Sequence, residues 1–233
     1  MLEIPGFINL VFILTALVTY LFFVMANLFS PHVKVQQGSK TIALLLLLWI
    51  IFQSTLSLNR WYMDRLSMPP NMAFPIITWL VIISALFFVP RFKNWLNQVN
   101  LNLLTWIHIV RIPVEMCLYW LALQKQLPWS MTFNGYNFDI IFGFTAPIMA
   151  LLYFTFKKIP ARVMLIWNVL GLISVLAVVV RGIGAVPSPI QSWDFSQPNY
   201  AVMHFPFIWL PSFIVPVVVL SHLIAIRRFR NQA

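Results

Sequence analysis

Apolar runs of about twenty residues recur along the whole length of this 233-residue chain. Coiled as an α-helix, each run matches the hydrocarbon thickness of a bilayer. Inside a bilayer every backbone N–H and C=O has to be satisfied within the protein, so such runs resolve into helices. The composition agrees, with 61% hydrophobic and 9% charged residues and a mean hydropathy of +0.87. Soluble domains carry about 25% charged residues, so this chain has too few to cover a water-facing surface. No stretch is left over for a soluble domain. The sequence predicts an all-α integral membrane bundle, one domain over residues 1–233, with the lipid bilayer as its partner.

Seven spans are expected, at about Phe7–Phe29, Thr41–Leu58, Asn71–Val89, Asn100–Gln124, Phe138–Phe156, Ala161–Val180 and Tyr200–Ile226. An odd number puts the termini on opposite sides. The loops after spans one, three and five, with the C-terminal tail, hold ten of the 15 Lys and Arg residues. They run from Lys34 and Lys40 through Arg91, Lys93, Lys157, Lys158 and Arg162 to Arg227, Arg228 and Arg230. The remaining loops hold four: Arg60, Arg65, Lys125 and Arg181. Because cytoplasmic loops are enriched in positive charge, the N-terminus is expected outside and the C-terminus in the cytoplasm. The start, MLEIPGFINL, carries Glu3 and no basic residue, which argues for a first span that stays rather than a cleaved signal peptide. The net charge of +10 does not mark a nucleic-acid partner, since the basic residues separate apolar runs and form no reader motif. Cys117, the single cysteine, falls within a span, so no intrachain disulfide is expected.

Span four, LTWIHIVRIPVEMCLYWLALQ from Leu104 to Gln124, stands apart because it carries His108, Arg111 and Glu115. At about 100° per residue these three fall within roughly 60° on one helix face, and Thr105 and Tyr119 extend the stripe. Burying a charge near a bilayer centre costs from about 2.5 to over 10 kcal/mol, so such groups face a protein interior or a wet cavity. Arg111 and Glu115 are four residues apart, within reach of a salt bridge along the helix. Pro113 removes a backbone bond and frees the Ile109 carbonyl. The plain alternative is that the two charges neutralise each other and clamp the helix to its neighbours.

Other polar groups are expected near this stripe. Asn137 and Asp139 enter the top of span five, where a carboxylate interacts favourably with the helix dipole or joins the rim of the same cavity. His204 is expected near the outer end of span seven, level with Glu115. His222 is expected near the inner interface, and His32 in a loop. Pro206, Pro211 and Pro216 recur every five residues, so that helix has to bend and its freed carbonyls need partners. The outer loops KQLPWSMTFNGYNFD and GIGAVPSPIQSWDFSQPN are suited to fold over the mouth as a cap. Arg181 either snorkels to headgroups or reaches Asp194. Gln53, Ser54, Thr55 and Asn168 are expected to make interhelical hydrogen bonds.

The leading expectation is a receptor- or carrier-type protein. An outward-opening polar pocket would bind a small molecule or ion, built from His108, Arg111, Glu115, Tyr119, Asn137, Asp139 and His204. The competing expectation is an intramembrane enzyme on a lipid-soluble substrate. There Glu115 or Asp139 would be the general acid or base, with His108 or His204 as partner. A structural or assembly subunit is the third. No metal site is expected, since no two histidines have helical ligand spacing. His108 and His204 differ too much in depth for a bis-histidine haem. All lysines fall in loops, which excludes a Schiff-base cofactor within a span. No cofactor or protein partner is identified.

The stretches HIVRIPVE, FNGYNFDIIFGFTAP and QPNYAVMHFPFIWLPSFIVPVVVLSHL resemble segments of an uncharacterised family of small bacterial seven-span membrane proteins. The resemblance covers the second half of the chain. It implies a bacterial inner-membrane location and that the three stretches belong together, and it brings no activity. Ceramidase and adiponectin-receptor-like hydrolases also have seven spans, but their paired-histidine pattern on the last span is absent.

Overall fold

The computed structural model describes residues 4–64 and 66–232, so Glu3 and Arg65 lie outside the described residues. Among the described residues nine α-helices follow in order: α1 (Gly6–Leu28), α2 (Val33–Leu58), α3 (Ala73–Phe88), α4 (Lys93–Gln98), α5 (Leu101–Trp106), α6 (Arg111–Leu123), α7 (Asp139–Ala150), α8 (Ala161–Ala185) and α9 (Val215–Arg230). No strand occurs among the described residues. A 3₁₀ turn, Ile107–Val110, joins α5 and α6 into one apolar rod, Leu101–Leu123. A π-helical turn, Leu151–Thr155, extends α7, and another, Leu210–Ile214, leads into α9.

By length and composition, five helices among the described residues can cross a bilayer: α1, α2, the α5–α6 rod, α8 and Leu210–Arg230. A sixth counts if α3 and the Pro90–Gln98 segment, bent by 78°, form one broken span. The break sits at Pro90, whose ring disfavours helix at the residue before it. Asp139–Thr155 is a shorter apolar helix.

Two expected starts move by several residues. Helix α2 starts at Val33, eight residues before the apolar run suggests, as the polar segment VKVQQGSK coils with it. The last helix begins at Leu210 rather than Tyr200. Between them Ala201–Met203 makes a 3₁₀ turn, and Pro206 and Pro211 keep the chain out of regular helix.

Proline also explains how α2 and α3 are attached. Pro216 has no N–H, so the carbonyl of Ser212 loses its helical donor. That carbonyl instead accepts the indole N–H groups of Trp49 on α2 at 2.8 Å and Trp79 on α3 at 2.5 Å. In hydrocarbon no water can replace those donors.

Polar contacts gather the helix ends into two groups. At one end the Asn100 backbone N–H donates to Ala26 O, the Asn100 side chain to Phe29 O, and Arg228 Nη1 to Val99 O. These join the ends of α1, α4 and α9. At the other end Ser57 Oγ donates to Met203 O and Gln197 Nε2 to Ala122 O and Leu127 O, while the Asn199 N–H donates to Ala185 O. These join the ends of α2, α6 and α8. The α5–α6 rod and Leu210–Arg230 form the centre, with 61% and 67% of their apolar windows buried, against 17% for α2. The polar stripe of α6 is therefore inside protein.

Candidate functional site

Arg111 is the hub of the interior. Its side chain is buried, and Nη2 donates to Asp139 Oδ1 at 3.1 Å and to the Gly171 carbonyl at 2.9 Å. Nη1 lies 3.2 Å from His222 Nε2, and the guanidinium stacks 5.2 Å from the Phe142 ring centroid. The salt bridge is thus to Asp139 on α7, not to Glu115 one turn away. The reason is the close approach of α7. A Cβ on Gly143 would sit 2.7 Å from Ile112 Cγ1 and 3.4 Å from Arg111 Cβ, so only glycine lets α7 come this near. Asp139 stands in the first turn of α7, where the helix dipole favours a carboxylate. Its Oδ1 also accepts from Ser174 Oγ of α8 at 2.5 Å.

His222 is buried in this network rather than at the interface. Its Nδ1 is 2.9 Å from Asn168 Oδ1. The amide oxygen can only accept, so Nδ1 carries the proton and Nε2 is left to accept from Arg111. These partners define a neutral imidazole in one tautomer. The ring fits because α8 has Gly171 opposite it. A Cβ there would lie 2.5 Å from Cε1 and 2.8 Å from Nε2.

His108, from the 3₁₀ turn before Pro113, stacks on His222 with centroids 3.9 Å apart and planes 21° from parallel. Trp167 meets His108 edge-on at 5.5 Å. Neither ring nitrogen of His108 has a hydrogen-bond partner among the described residues, and its side chain is fully buried.

Glu115 completes the group. Its Oε1 accepts from Asn137 Nδ2 at 2.5 Å, and the same Nδ2 donates to Met131 O at 3.0 Å. Asn137 Oδ1 accepts the Asp139 N–H at 2.9 Å, so one asparagine ties Glu115 to the start of α7. Glu115 Oε2 has no hydrogen-bond partner among the described residues. Asn137 and Asp139 are 2% and 6% exposed, so the residues expected at the rim of a mouth lie in the interior.

The loop between α6 and α7 interlocks with the loop after α8. Ser130 Oγ donates to Asp194 Oδ2 at 2.6 Å, Trp193 Nε1 donates to Arg181 O at 3.0 Å, and Arg181 stacks 4.8 Å over Tyr136. Asp194 is held by Ser130, and Arg181 turns to the Tyr136 ring. Tyr119 packs under this cap, stacked on Phe133 at 5.1 Å and edge-on to Trp129 at 5.7 Å. His204 sits in the loop before the last helix with Nδ1 2.9 Å from Tyr200 O, and no contact joins it to Glu115 among the described residues.

The fold therefore unites His108, Arg111, Glu115, Asn137 and Asp139, and adds His222, Asn168, Gly171 and Ser174. Tyr119 and His204 stand apart. Asn168 makes the interhelical hydrogen bond expected of it, to His222, whereas Gly171 and Ser174 were missed although a signal was readable. Asn168, Gly171 and Ser174 follow at intervals of three, a small and polar stripe of the kind that packs against another membrane helix.

Chemically, the cluster holds one neutralised ion pair, a carboxylate with a free oxygen, and two stacked imidazoles. Among the described residues no group of three His, Cys, Asp or Glu side chains is arranged to hold a metal, and the two imidazoles meet face to face rather than converging on a point. A cavity of about 260 Å³ lies between α3 and the α8–α9 pair, and a wider depression lies along residues 61–82. None of the seven site residues expected from the sequence lines either one.

No curated protein and no solved structure matches this chain. Residues 68–230, which hold α3 to α9 and the whole buried cluster, match the family described as "Domain of unknown function (DUF8737)", and the chain belongs to that family.

Proposed function

We propose that the protein is a multi-pass carrier of the bacterial inner membrane, with seven crossings, whose interior cluster binds an ion, and that the ion is a proton. The five helices long enough to cross, the bent pair of α3 with Pro90–Gln98, and the shorter apolar helix Asp139–Thr155 support the crossings. The ten-to-four split of basic residues supports an outside N-terminus and a cytoplasmic C-terminus. The bacterial location follows from the resemblance of the span-four, span-five and span-seven segments.

One observation carries the proton reading: the buried His108 ring, with neither nitrogen engaged, stacked on a His222 whose tautomer is fixed. Ionisable groups in membrane interiors recur in proton relays, and histidine gains or loses its proton near neutral pH in ordinary surroundings. A proton added at His222 Nε2 would face the N–H of Arg111 Nη1, donor against donor. Relief requires α9 to shift against α6, so occupancy is coupled to helix packing. The Arg111–Asp139 pair stays neutral throughout and anchors the frame.

The test is ¹⁵N-histidine NMR of the protein in nanodiscs, titrated from about pH 8 down to about pH 4. The His108 or His222 signal, assigned by His108→Gln, is expected to change protonation state, and proteoliposomes with a trapped pH dye are expected to lose proton flux in the same variant. Two rings that stay neutral across the range in folded protein, with proton flux unaltered in His108→Gln, would overturn the reading.

A further inference from the structure

The break at Pro90 lays the segment Pro90–Gln98 across one end of the bundle. It is bent by 78° from α3, so a crossing α3 leaves it running nearly along the membrane surface. Its buried side is fastened. Leu96 is 1% exposed, the Trp95 indole N–H donates to Asn27 Oδ1 of α1 at 2.6 Å, and Val99 O just beyond accepts from Arg228 Nη1 of α9 at 2.6 Å. Its free side carries Arg91, Lys93 and Asn94, all exposed, with Phe92 between them. Phe88, at the corner where α3 ends, is 84% exposed. Cations beside exposed aromatic rings on a surface-lying segment suit the level of the lipid headgroups.

The end of α9 adds to this charge without balancing it. Arg227 Nε donates to Asn97 Oδ1 at 3.4 Å, and Lys93 lies one helical turn before Asn97 on the same face. Arg230, nearly one turn past Arg227, is exposed. The two acceptors that draw Arg227 and Arg228 onto the segment, an amide oxygen and a backbone carbonyl, are both neutral. Residues 29–40, 89–100, 156–162 and 226–232 hold ten Lys and Arg and no Asp or Glu. Like charges gathered on neutral acceptors repel, and the balancing charge comes from outside the chain. At this depth the anion is the phospholipid phosphate. A guanidinium presents paired donors that match two phosphate oxygens, and Arg227 commits only its Nε to protein among the described residues. A zwitterionic headgroup brings an ammonium of its own, which this cluster repels.

We infer that the angle between the Pro90–Gln98 segment and the end of α9 seats one anionic phospholipid, its phosphate at Lys93 and Arg227, with Arg91 at the edge and an acyl chain beside Phe88. The seat is separate from the central cluster and holds its lipid whether or not His108 or His222 takes a proton.

Native mass spectrometry of the full protein, released from detergent with dioleoyl phosphatidylglycerol and dioleoyl phosphatidylcholine at equal concentration, tests it. One phosphatidylglycerol is expected to be retained with roughly tenfold preference, about 1.4 kcal/mol. Arg91→Gln with Lys93→Gln, both exposed side chains, is expected to erase most of that preference, and Arg227→Gln to weaken it. Lys157→Gln with Lys158→Gln removes the same charge from the same end and is expected to keep it. Equal loss in the two double variants would mean that total charge, not this seat, holds the lipid, and would overturn the inference. So would equal retention of the two lipids. Displacement of the lipid by glycerol 3-phosphate or by a single-stranded oligonucleotide would also overturn it, by assigning the surface to a soluble anion.

Discussion

On the α6–α7–α8 side of the bundle, polar atoms are brought within hydrogen-bond distance by helices that touch. On the α3 side, apolar walls are held apart and α3 is tethered through a shared carbonyl. Gly143 and Gly171 allow the first arrangement, because at each a Cβ would land within 2.7 Å of a neighbouring side chain. The second depends on prolines: Pro211 and Pro216 line the cavity, and Pro216 exposes the Ser212 carbonyl that tethers α3 through Trp79. Within one membrane, close approach makes a polar site and stand-off leaves an apolar cavity. The Met131 residue touches both, since its carbonyl accepts from Asn137 while its sulfur faces Asn199.

Glycine substitutions should break this contrast most sharply. Gly171→Val drives a side chain into the His222 ring, which Arg111 and Asn168 hold in place. Overpacking of this kind costs about 1–3 kcal/mol or more, and little folded protein should survive solubilisation. Gly182→Ala beside the α3 cavity meets the Met131 methyl first, at 3.1 Å, the mobile end of a flexible side chain. Its melting temperature should stay close to that of the parent. Comparable losses in both variants would mean that the two sides are packed alike.

Charge removal comes next. Asp139→Ala leaves Arg111 buried with no carboxylate partner, and breaking such a pair costs about 3–5 kcal/mol. The double change Arg111→Met with Asp139→Leu should recover much of that loss in denaturation assays. Glu115→Gln should cost far less, about 1 kcal/mol, because Asn137 still finds an amide oxygen. If Glu115→Gln proved as damaging as Asp139→Ala, the pairing along the helix suggested by the sequence would be the real one.

That comparison also marks how far the sequence can be read. The stripe of His108, Arg111 and Glu115 was legible because helical period alone sets it. The partner of Arg111 was not, since local spacing offers Glu115 and only the packing of α7 supplies Asp139. His222 was misplaced for a related reason. A span drawn from Tyr200 puts it near the inner end, whereas the helix begins at Leu210 and ends at Arg230, which puts residue 222 close to the middle. The same shift moves His204 into a loop. Bounds of α1 and the α5–α6 rod were readable to a residue or two because bilayer thickness sets their length. The cavity beside α3 has no counterpart in sequence, since it depends on where α3 stops short of α8.

The tether of α3 makes a smaller prediction. Trp49→Phe or Trp79→Phe alone removes one of two donors to Ser212 O, and the other remains. Each should cost roughly 0.6 kcal/mol, the usual worth of a hydrogen bond between membrane helices. The double variant should lose more than the sum, because the carbonyl then has no donor at all. Additive losses would show that the two indoles act independently and that the exposed carbonyl is not the reason for the attachment.

The smallest effect concerns the loop that leads into α3. Tyr62, 1% exposed, donates its phenol to Gln53 Oε1, and Trp61 beside it packs edge-on against Phe74 of α3. Burial pushes the Tyr62 phenol above its ordinary value of about 10. A folded-state value above the unfolded one means that the folded form holds the proton more tightly. The corresponding stability is fully present below about pH 10 and is lost as pH rises beyond it. Tyr62→Phe has no proton to lose, so the drop in melting temperature between pH 8 and pH 11 should shrink in that variant. The Tyr62 phenol and the Trp61 ring are engaged by Gln53 of α2 and Phe74 of α3 rather than by the central cluster, so the histidine signals should not follow the change; if they did, the α3 wall and the cluster would form one cooperative unit rather than two.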